Sequence, residues 1–395
     1  MSGWLRPVQT RLVSPEYAWR VVPPPYDFLT PYERYRWASE NPDSFFNAFT
    51  PADSWPNKSF RQLVSQAAGY LDRQLRKGVF GPPLEGLFVY RIADSVHQQT
   101  GVVGDAPAAS APQTLVPHET TRSDREEELY KYMGEVPYSS NPMGLGYPPR
   151  TEIDGMVEEI CRSVPDVSVT LENGDLHQIW VVPQDIVPGL LDEFSKVPKA
   201  YIVDGHHRAA ASLRHASRYG ADEAHPAGRM LVVAFPTDQL RIHPYHRWVK
   251  AELSAERLEE DVGAVRAPVR LPAKGEAMAI TSQGCWSIRL SHCESSHCQD
   301  EMDAVALHRT VLEPLLGVAD ERTDPRMDFI PDHEGIKTVV DRVAEHGGVG
   351  FMLSPATMNQ VIHAADNRLP IPPKATFFVP KTRSGFFLSP RHGGS

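Results

Sequence analysis

The sequence is poor in cysteine and lacks any long apolar run. Four cysteines among 395 residues are too few to make a disulfide framework. The N-terminal stretch MSGWLRPVQTR lacks the apolar core of a signal peptide, and no run approaches the ~20 apolar residues of a transmembrane helix. These absences predict a cytoplasmic protein that does not contact a membrane.

The sequence also lacks an excess of positive charge. Its 40 lysines and arginines are outnumbered by 50 aspartates and glutamates, which gives a net charge of −10. An acidic chain without a helix-turn-helix pair and a basic face is not expected to bind nucleic acid. Any anion that the protein binds must therefore meet a local group of cations.

Three of the cysteines lie close together in the sequence, at Cys285, Cys293 and Cys298, and His292 and His297 lie beside them. Their spacing matches no standard zinc-finger pattern. We interpret them as reduced thiols near a strand and a loop, with a zinc site as the alternative.

The common nucleotide-binding and hydrolase motifs are missing. There is no P-loop, no G-x-G-x-x-G after a strand, and no kinase H-R-D or D-F-G motif. The H-E-x-x-H and G-x-S-x-G motifs are missing too. Any activity must therefore come from residues outside these motifs.

The sequence has enough apolar residues for a large core and many chain breaks. It is 41% hydrophobic and contains 36 prolines, which predicts one large or two modest domains built from short elements. Apolar periodicity and capping residues predict helices over 31–47 and 58–77. Short apolar runs predict strands at 86–92 and in QIWVVP, AYIVDG and MLVVAFP.

The segment YIVDGHHRAAAS (201–212) is where a strand is predicted to become a helix. Asp204 follows the β-prone run and is typical of a helix N-cap, and the alanine-rich stretch predicts a helix up to Gly220. With MLVVAFP this helix predicts a βαβ-like unit. His206, His207 and Arg208 fall in the first helical turn, where the macrodipole is already positive, so we expect a bound anion there.

The residues of this turn are suited to phosphate. Gly205 lets a ligand approach the backbone closely, and the first-turn amides are free donors. His206, His207 and Arg208 would complete a cradle for phosphate oxygens. Asp204 has three possible roles: to bind Mg²⁺, to cap the helix or to orient a histidine.

Candidate residues also occur in three other motifs. In VVPPPYDF, Asp27 is either a general base or the cap of a loop that prolines stiffen. In VPHE, His118 and Glu119 either orient a substrate or metal or form a buried structural pair. In PPKATFF, Lys374 and Thr376 are placed to reach a phosphate, whereas the alternative is that Lys374 caps a loop.

Four motifs occur in a fixed order along the chain: VVPPPYDFLT (21–30), LVPHETTRSDR (115–125), YIVDGHHRAAAS (201–212) and LPIPPKATFFVPKTRSGFF (369–387). Together they resemble the domain-of-unknown-function 1015 family, whose typical forms are PPYD, PHERT, DGHHR and MPPKSTYFYPK. The resemblance spans almost the whole chain. Two positions depart from the family, since Thr120 stands in place of arginine and Ala375 in place of serine.

Members of this family look related to the ParB/sulfiredoxin superfamily, and the DGHHR loop is similar to that of its free-serine kinases. In those kinases the loop and the helix N-terminus hold the nucleotide phosphates, and an N-terminal carboxylate activates the serine hydroxyl. The resemblance implies these roles for residues 204–208 and for Asp27. Sulfiredoxin chemistry is not implied, because His206 stands in the place of its catalytic cysteine.

We therefore expect a mixed α/β fold, with a ParB/sulfiredoxin-like nucleotide-binding core with insertions over 1–250. A C-terminal α/β lobe over 251–395 would return PPKATFFVPK toward the site. The predicted activity is phosphoryl transfer from ATP or ADP, with Mg²⁺, to the hydroxyl of free L-serine or a related small hydroxy compound. The alternatives are a non-catalytic nucleotide-binding regulatory module and a metal-dependent hydrolase that uses His118, Glu119, His206 and His207.

Overall fold

A computed structural model describes residues 3–49, 55, 57–119, 121–220, 224–291, 302–332, 335–369 and 371–391. The chain forms two compact units, of which the first comprises Met1–Leu240 and Pro380–Ser395 and the second Arg241–Val379. Helices and sheets occur in both units, so the predicted mixed α/β class is confirmed. The domain boundary at residue 250 stays a prediction, whereas these units place the last residues of the chain with the first unit.

Twelve strands of the described chain belong to the first unit: β1 Val8–Leu12, β2 Leu84–Gly86, β3 Phe88–Ala93, β4 Gln98–Pro107, β5 Leu115–Val116, β6 Tyr138–Ser139, β7 Met143–Tyr147, β8 Val167–Thr170, β9 Leu176–Val181, β10 Ala200–Asp204, β11 Arg229–Pro236 and, from the end of the chain, β20 Phe387–Pro390. Its α-helices are α1 Pro15–Val21, α2 Pro31–Glu40, α3 Phe60–Arg76, α4 Ala111–Thr114, α5 Ser123–Glu135, α6 Thr151–Ile160, α7 Val187–Ser195 and α8 His206–Arg218. Short 3₁₀ turns cover Tyr26–Phe28, Phe45–Ala48, Pro226–Gly228 and Thr237–Gln239.

The centre of the first unit is an eight-stranded sheet in the order β5-β10-β7-β11-β4-β3-β9-β8. Because side chains alternate between the two faces of a strand, Phe88 and Tyr90 of β3 pack into one core and Leu87 and Val89 into another. Helices α6 and α7 cover the second core, whereas α1, α3 and α5 cover the first. The sheet is therefore buried on both faces.

A four-stranded sheet in the order β2-β1-β20-β6 packs on the first of these cores. Strand β20 pairs antiparallel with β1 and β6, and Phe386, Phe387 and Leu388 are fully buried. This pairing returns the end of the chain to its beginning. It is the physical reason why residues after 379 belong to the first unit.

The second unit is built on a six-stranded sheet in the order β14-β16-β15-β18-β13-β17, and β12 pairs with β19. Its strands are β12 Arg241–His243, β13 Tyr245–Val249, β14 Val265–Arg266, β15 Glu276–Thr281, β16 Gly284–Arg289, β17 Met327–Pro331, β18 Val349–Leu353 and β19 Phe377–Val379. Its helices are α9 Ala255–Val262, α10 Asp303–Leu307, α11 Glu313–Leu316, α12 Ile336–His346 and α13 Met358–Asp366, with a π-helical turn at His308–Leu312.

Several predicted elements occur with shifted bounds. Helix α2 begins where expected, with a capping box between Thr30 and Glu33, but it ends at Glu40 because Asn41 precedes a proline. The βαβ-like unit was wrong, because β7 lies between β10 and β11. Strand β7 is antiparallel to β10 and parallel to β11, so the two strands that flank α8 run in opposite directions.

Among the described residues, no helix is both long enough and apolar enough to cross a membrane. Cys161 and Cys285 are free thiols. The other residues of the predicted cysteine group, Cys293, Cys298, His292 and His297, lie outside the described residues.

Candidate functional site

The junction between β10 and α8 is the centre of the candidate site. Strand β10 ends at Asp204, Gly205 adopts a left-handed conformation with φ of 94°, and α8 begins at His206. A Cβ at Gly205 would lie 2.8 Å from Nη2 of Arg208, so both the backbone angle and the space require glycine. The predicted capping role of Asp204 was wrong, because Gly205 occupies the N-cap and no side chain caps the helix.

The carboxylate of Asp204 instead binds two cations. The ammonium of Lys381 donates to Oδ1 at 2.7 Å, and Nη2 of Arg208 donates to Oδ2. Burial by itself would raise the pKa of Asp204, but the charges of Lys381 and Arg208 outweigh it and hold the pKa well below its ordinary value. Asp204 is therefore a fixed negative charge between two positive ones.

Arg208 also holds the segment before β7. Its Nη1 donates to the carbonyl oxygens of Asn141 at 2.8 Å and of Pro142 at 3.1 Å. A bound anion was expected partly because Arg208 is a cation that needs a counter-charge. In the structure, Asp204 supplies that counter-charge. Its proposed contact with a phosphate stays a prediction.

Two histidines from different motifs meet beside this junction. The rings of His118 and His206 pack edge to face with centroids 4.5 Å apart, and the backbone N–H of His118 donates to Nε2 of His206 at 3.4 Å. Burial lowers the pKa of His118 to about 4 and that of His206 well below its ordinary value. Both rings are neutral at neutral pH, so they offer hydrogen bonds to a ligand but no positive charge.

The neighbours of these histidines lie at the same place. Oε2 of Glu119 is 3.8 Å from Nδ1 of His206, and Nδ1 of His207 accepts a hydrogen bond from the backbone N–H of Arg122 at 3.4 Å. The VPHE and DGHHR motifs, which are 88 residues apart at the bond between His118 and His206, therefore lie side by side.

Asp27 reaches the same site from the beginning of the chain. It lies in the 3₁₀ turn Tyr26–Phe28, directly after three prolines. Its Oδ2 is 3.8 Å from Nζ of Lys381, and 44% of its side chain is exposed, against 20% for Asp204 and 12% for Lys381. We call Asp27, Lys381 and Asp204 the Lys381 cluster.

The sequence reasoning missed Lys381. The residue ends the motif PPKATFFVPK, in which Lys374 was selected as the phosphate ligand. The available signal was the second lysine of that motif, since the family pattern carries a lysine at both positions.

Arg383 links the two segments of the chain that carry Lys381 and Asp27. Its guanidinium is buried, with 1% of the residue exposed, and Nη1 donates to the carbonyl oxygen of Pro23 and to Oε1 of Glu172, both at 2.9 Å. The first bond ties the segment of Lys381 to the proline run that precedes Asp27. This bond keeps the segment of Lys381 next to the segment that leads to Asp27.

Lys374 and Thr376 lie in the second unit. Lys374 has a φ of 53°, which is uncommon for a residue with a side chain, and its carbonyl accepts a hydrogen bond from Nη1 of the buried Arg247 at 3.2 Å. Its Nζ is 3.5 Å from the hydroxyl of Tyr245. The roles of Lys374 and Thr376 toward a phosphate stay predictions.

The carboxylate that was predicted to bind Mg²⁺ is paired with cations in the structure. Asp204 was the predicted ligand, but both of its carboxylate oxygens are bonded to cations. Within the described ranges, no group of three or more His, Cys, Asp or Glu side chains is arranged to hold a metal ion.

Comparison with solved structures finds distant similarities. A free serine kinase mutant in complex with ADP is 14% identical with a TM-score of 0.38, over 72% of this chain and 91% of that one. SbnI with a C-terminal truncation, from Staphylococcus aureus, is 10% identical with a TM-score of 0.41, over 73% and 87%. A conserved hypothetical protein from Pyrococcus furiosus is 14% identical with a TM-score of 0.36, over 71% and 93%. TM-scores below 0.5 assign no activity to this chain.

No curated protein matches the chain. Residues 5–310 match a family described as "Protein of unknown function (DUF1015)". The match includes the first three of the four motifs, and the motif of Lys374 and Lys381 lies beyond it. The family predicted from the motifs is therefore confirmed, and the chain belongs to the DUF1015 family.

Proposed function

We propose that the protein is a small-molecule kinase that transfers a phosphoryl group from ATP or ADP to the hydroxyl of free L-serine or a related small hydroxy compound. The observation that carries the proposal is the Lys381 cluster, in which one ammonium lies 2.7 Å from Asp204 and 3.8 Å from Asp27. Phosphoryl transfer needs a cation beside the phosphate oxygens and a carboxylate near the attacking hydroxyl. The cluster offers both.

The reaction would use the two carboxylates differently. Asp27 is the more exposed one, so it is the one that a substrate hydroxyl reaches. Asp27 would accept the hydroxyl proton while the serine oxygen bonds to phosphorus and the bond from phosphorus to the nucleotide oxygen breaks. Asp204 would stay bonded to Lys381 and hold its ammonium in place for the transferred phosphoryl group.

The start of α8 supports the placement of the phosphates. The first amides of a helix have no partner within it, and the macrodipole adds positive potential there. Gly205 has no side chain to block the approach, and the neutral His206 would add a hydrogen bond without charge. The nucleotide would enter as its magnesium complex, and no step is assigned to the metal.

The test is turnover by the purified chain. Serine, threonine and homoserine are each incubated with MgATP or MgADP, and products are followed by phosphorus NMR. We expect a phosphomonoester signal from at least one pair. Lys381→Met should lower kcat about 10²–10³-fold, the cost of removing one charge-stabilising donor. Asp27→Asn should lower it about 10²–10⁴-fold, as for other general bases, with nucleotide affinity near that of the wild type.

Lys337 provides the matched control, because its side chain is 82% exposed on α12 and pairs with Asp341. Lys337→Met should keep wild-type turnover. Lys374→Met tests the prediction for the other lysine of the motif. Nucleotide binding without product from any pair would contradict the kinase and support the regulatory module.

A further inference from the structure

Arg34 is a buried cation that no step of the proposed reaction uses. It lies on α2, four residues after the N-cap Thr30, and only 8% of it is exposed. A guanidinium keeps its charge in a protein, so burying one is costly unless polar groups accept hydrogen bonds from it. The partners of Arg34 therefore indicate what the side chain does.

The guanidinium of Arg34 contacts the turn that carries Asp27. Its Nη1 donates to the carbonyl oxygen of Leu29 at 2.6 Å and to that of Tyr26 at 3.3 Å. The guanidinium also lies over the ring of Tyr26, with Cζ 3.9 Å from the ring centre. Because Tyr26 and Leu29 lie on either side of Asp27 in the sequence, these contacts hold the backbone before and after it.

The proline run before this turn limits the backbone hydrogen bonds that can hold it. Pro23, Pro24 and Pro25 have no backbone N–H, so this segment offers carbonyl oxygens but no amide donors. The carbonyl of Pro25 accepts a hydrogen bond from the backbone N–H of Phe28 at 3.0 Å, and that of Pro23 accepts one from the buried Arg383 at 2.9 Å. Side-chain donors therefore supply what the prolines lack.

We propose that Arg34 is a positioning residue that holds the carboxylate of Asp27 at the Lys381 cluster. The inference rests on the proposed function, in which Asp27 accepts the proton of the substrate hydroxyl. Asp27 is 44% exposed and lies 3.8 Å from Nζ of Lys381, and so weak a contact does not fix its position by itself. The backbone that Arg34 holds must do so, because a displacement of about 1 Å costs about 10²-fold in rate.

The first test is a double-mutant cycle between Arg34 and Asp27. Arg34→Met should lower kcat about 10–10²-fold and leave the KM for the nucleotide near that of the wild type, because the residues proposed to hold the phosphates are unchanged. In the Asp27→Asn background the same change should lower kcat less than about threefold, since no base is left to position. Equal losses in both backgrounds would mean that Arg34 acts only through stability, and would overturn the proposal.

Arg36→Met is the matched control. Arg36 lies on the same helix, its side chain is 65% exposed, and it pairs with the exposed Glu40 at 3.2 Å. Arg36→Met should therefore keep the kcat of the wild type. Arg34→Lys keeps the charge but not the planar group over Tyr26, so it should lose less activity than Arg34→Met. If Arg34→Met does not fold, Arg34→Lys takes its place in the cycle.

Hydrogen exchange separates this inference from the proposed function, because it is measured without turnover. The backbone amide of Phe28 reports on the turn through its bond to Pro25. It should exchange at least about tenfold faster in Arg34→Met and at the wild-type rate in Arg36→Met. Unchanged exchange in Arg34→Met would show that Arg34 does not hold the turn. Faster exchange in Arg34→Met, together with no turnover by the wild type, would support Arg34 as the residue that holds the turn and contradict only the kinase.

Discussion

The ammonium of Lys381 lies between two carboxylates that hold it with unequal strength. The contact with Asp204 is 2.7 Å long and mostly shielded, whereas that with Asp27 is 3.8 Å long and half-exposed. Because water weakens exposed ion pairs, the Asp27 contact is the one that a phosphate oxygen of the proposed donor would displace. Release of Asp27 would then leave a carboxylate without a cation next to the substrate. Arrival of the donor would thus prepare the base.

A second residue with a testable charge state is Asp105. Its pKa in the folded protein is about 7, against 3.8 for an ordinary aspartate. As pH rises from about 4 to 7, the unfolded chain ionises Asp105 and the folded one does not, so the folded state loses stability over this window. At ~1.4 kcal/mol for each unit of pKa, the loss reaches about 4 kcal/mol as an upper value.

We therefore expect Asp105→Asn to be more stable than the wild type by about 2–4 kcal/mol at pH 8, with the difference shrinking toward pH 4. The free energy of unfolding of both proteins is measured by urea denaturation at pH 4, 6 and 8. A difference that stays constant with pH would mean that ionisation of Asp105 has no part in it.

At the scale of elements, the turn between β10 and α8 depends on one glycine. Gly205→Ala places a Cβ 2.8 Å from the Arg208 guanidinium and imposes a left-handed angle on a residue with a side chain. We expect a loss of about 1–3 kcal/mol in the free energy of unfolding, measured by denaturant titration. Gly155→Ala is the control, because Gly155 lies within α6 with no neighbour within 4 Å, and it should stabilise by about 0.5–1 kcal/mol. Equal effects of the two changes would contradict this account.

Local signals predicted the elements well where short-range physics decides them. Helix α3 was predicted over 58–77 from its apolar spacing, and of those apolar positions it buries Leu63, Ala67, Tyr70 and Leu71, whereas Leu75 is partly buried. Asp204 shows the limit. An aspartate before a helix is typical of a cap. Here the Asp204 carboxylate accepts a hydrogen bond from Lys381, which is 177 residues away, and not from the helix amides.

The candidate site was likewise predicted from the sequence only in part. The motifs predicted that His118 and the DGHHR turn belong together, and the two rings are in contact. Lys381 joins these residues because the chain returns from the second unit to β20. No periodicity in the sequence predicts that return. The position of β7 between β10 and β11 is equally a product of long-range pairing.

At the scale of the whole molecule, the first unit is closed by the last strand. Residues 386–388, at the start of β20, supply three fully buried apolar side chains, and the backbone N–H of Val13 donates to the carbonyl of Phe386 at 2.9 Å. A chain that ends after residue 379 should lose the cooperative thermal transition of the first unit, because its core would open. A chain that ends at Arg391 keeps every described residue and should melt as the wild type does. Calorimetry of the two truncations checks this, and a normal melt of the shorter chain would contradict it.

The return of the C-terminal segment also has a consequence for biosynthesis. Lys381 is translated roughly 20–70 s after Asp27 at ~5–20 residues per second. During translation the two carboxylates of the site have no ammonium between them. A polypeptide whose synthesis stops before Lys381 would therefore lack the ammonium on which the proposed phosphoryl transfer depends.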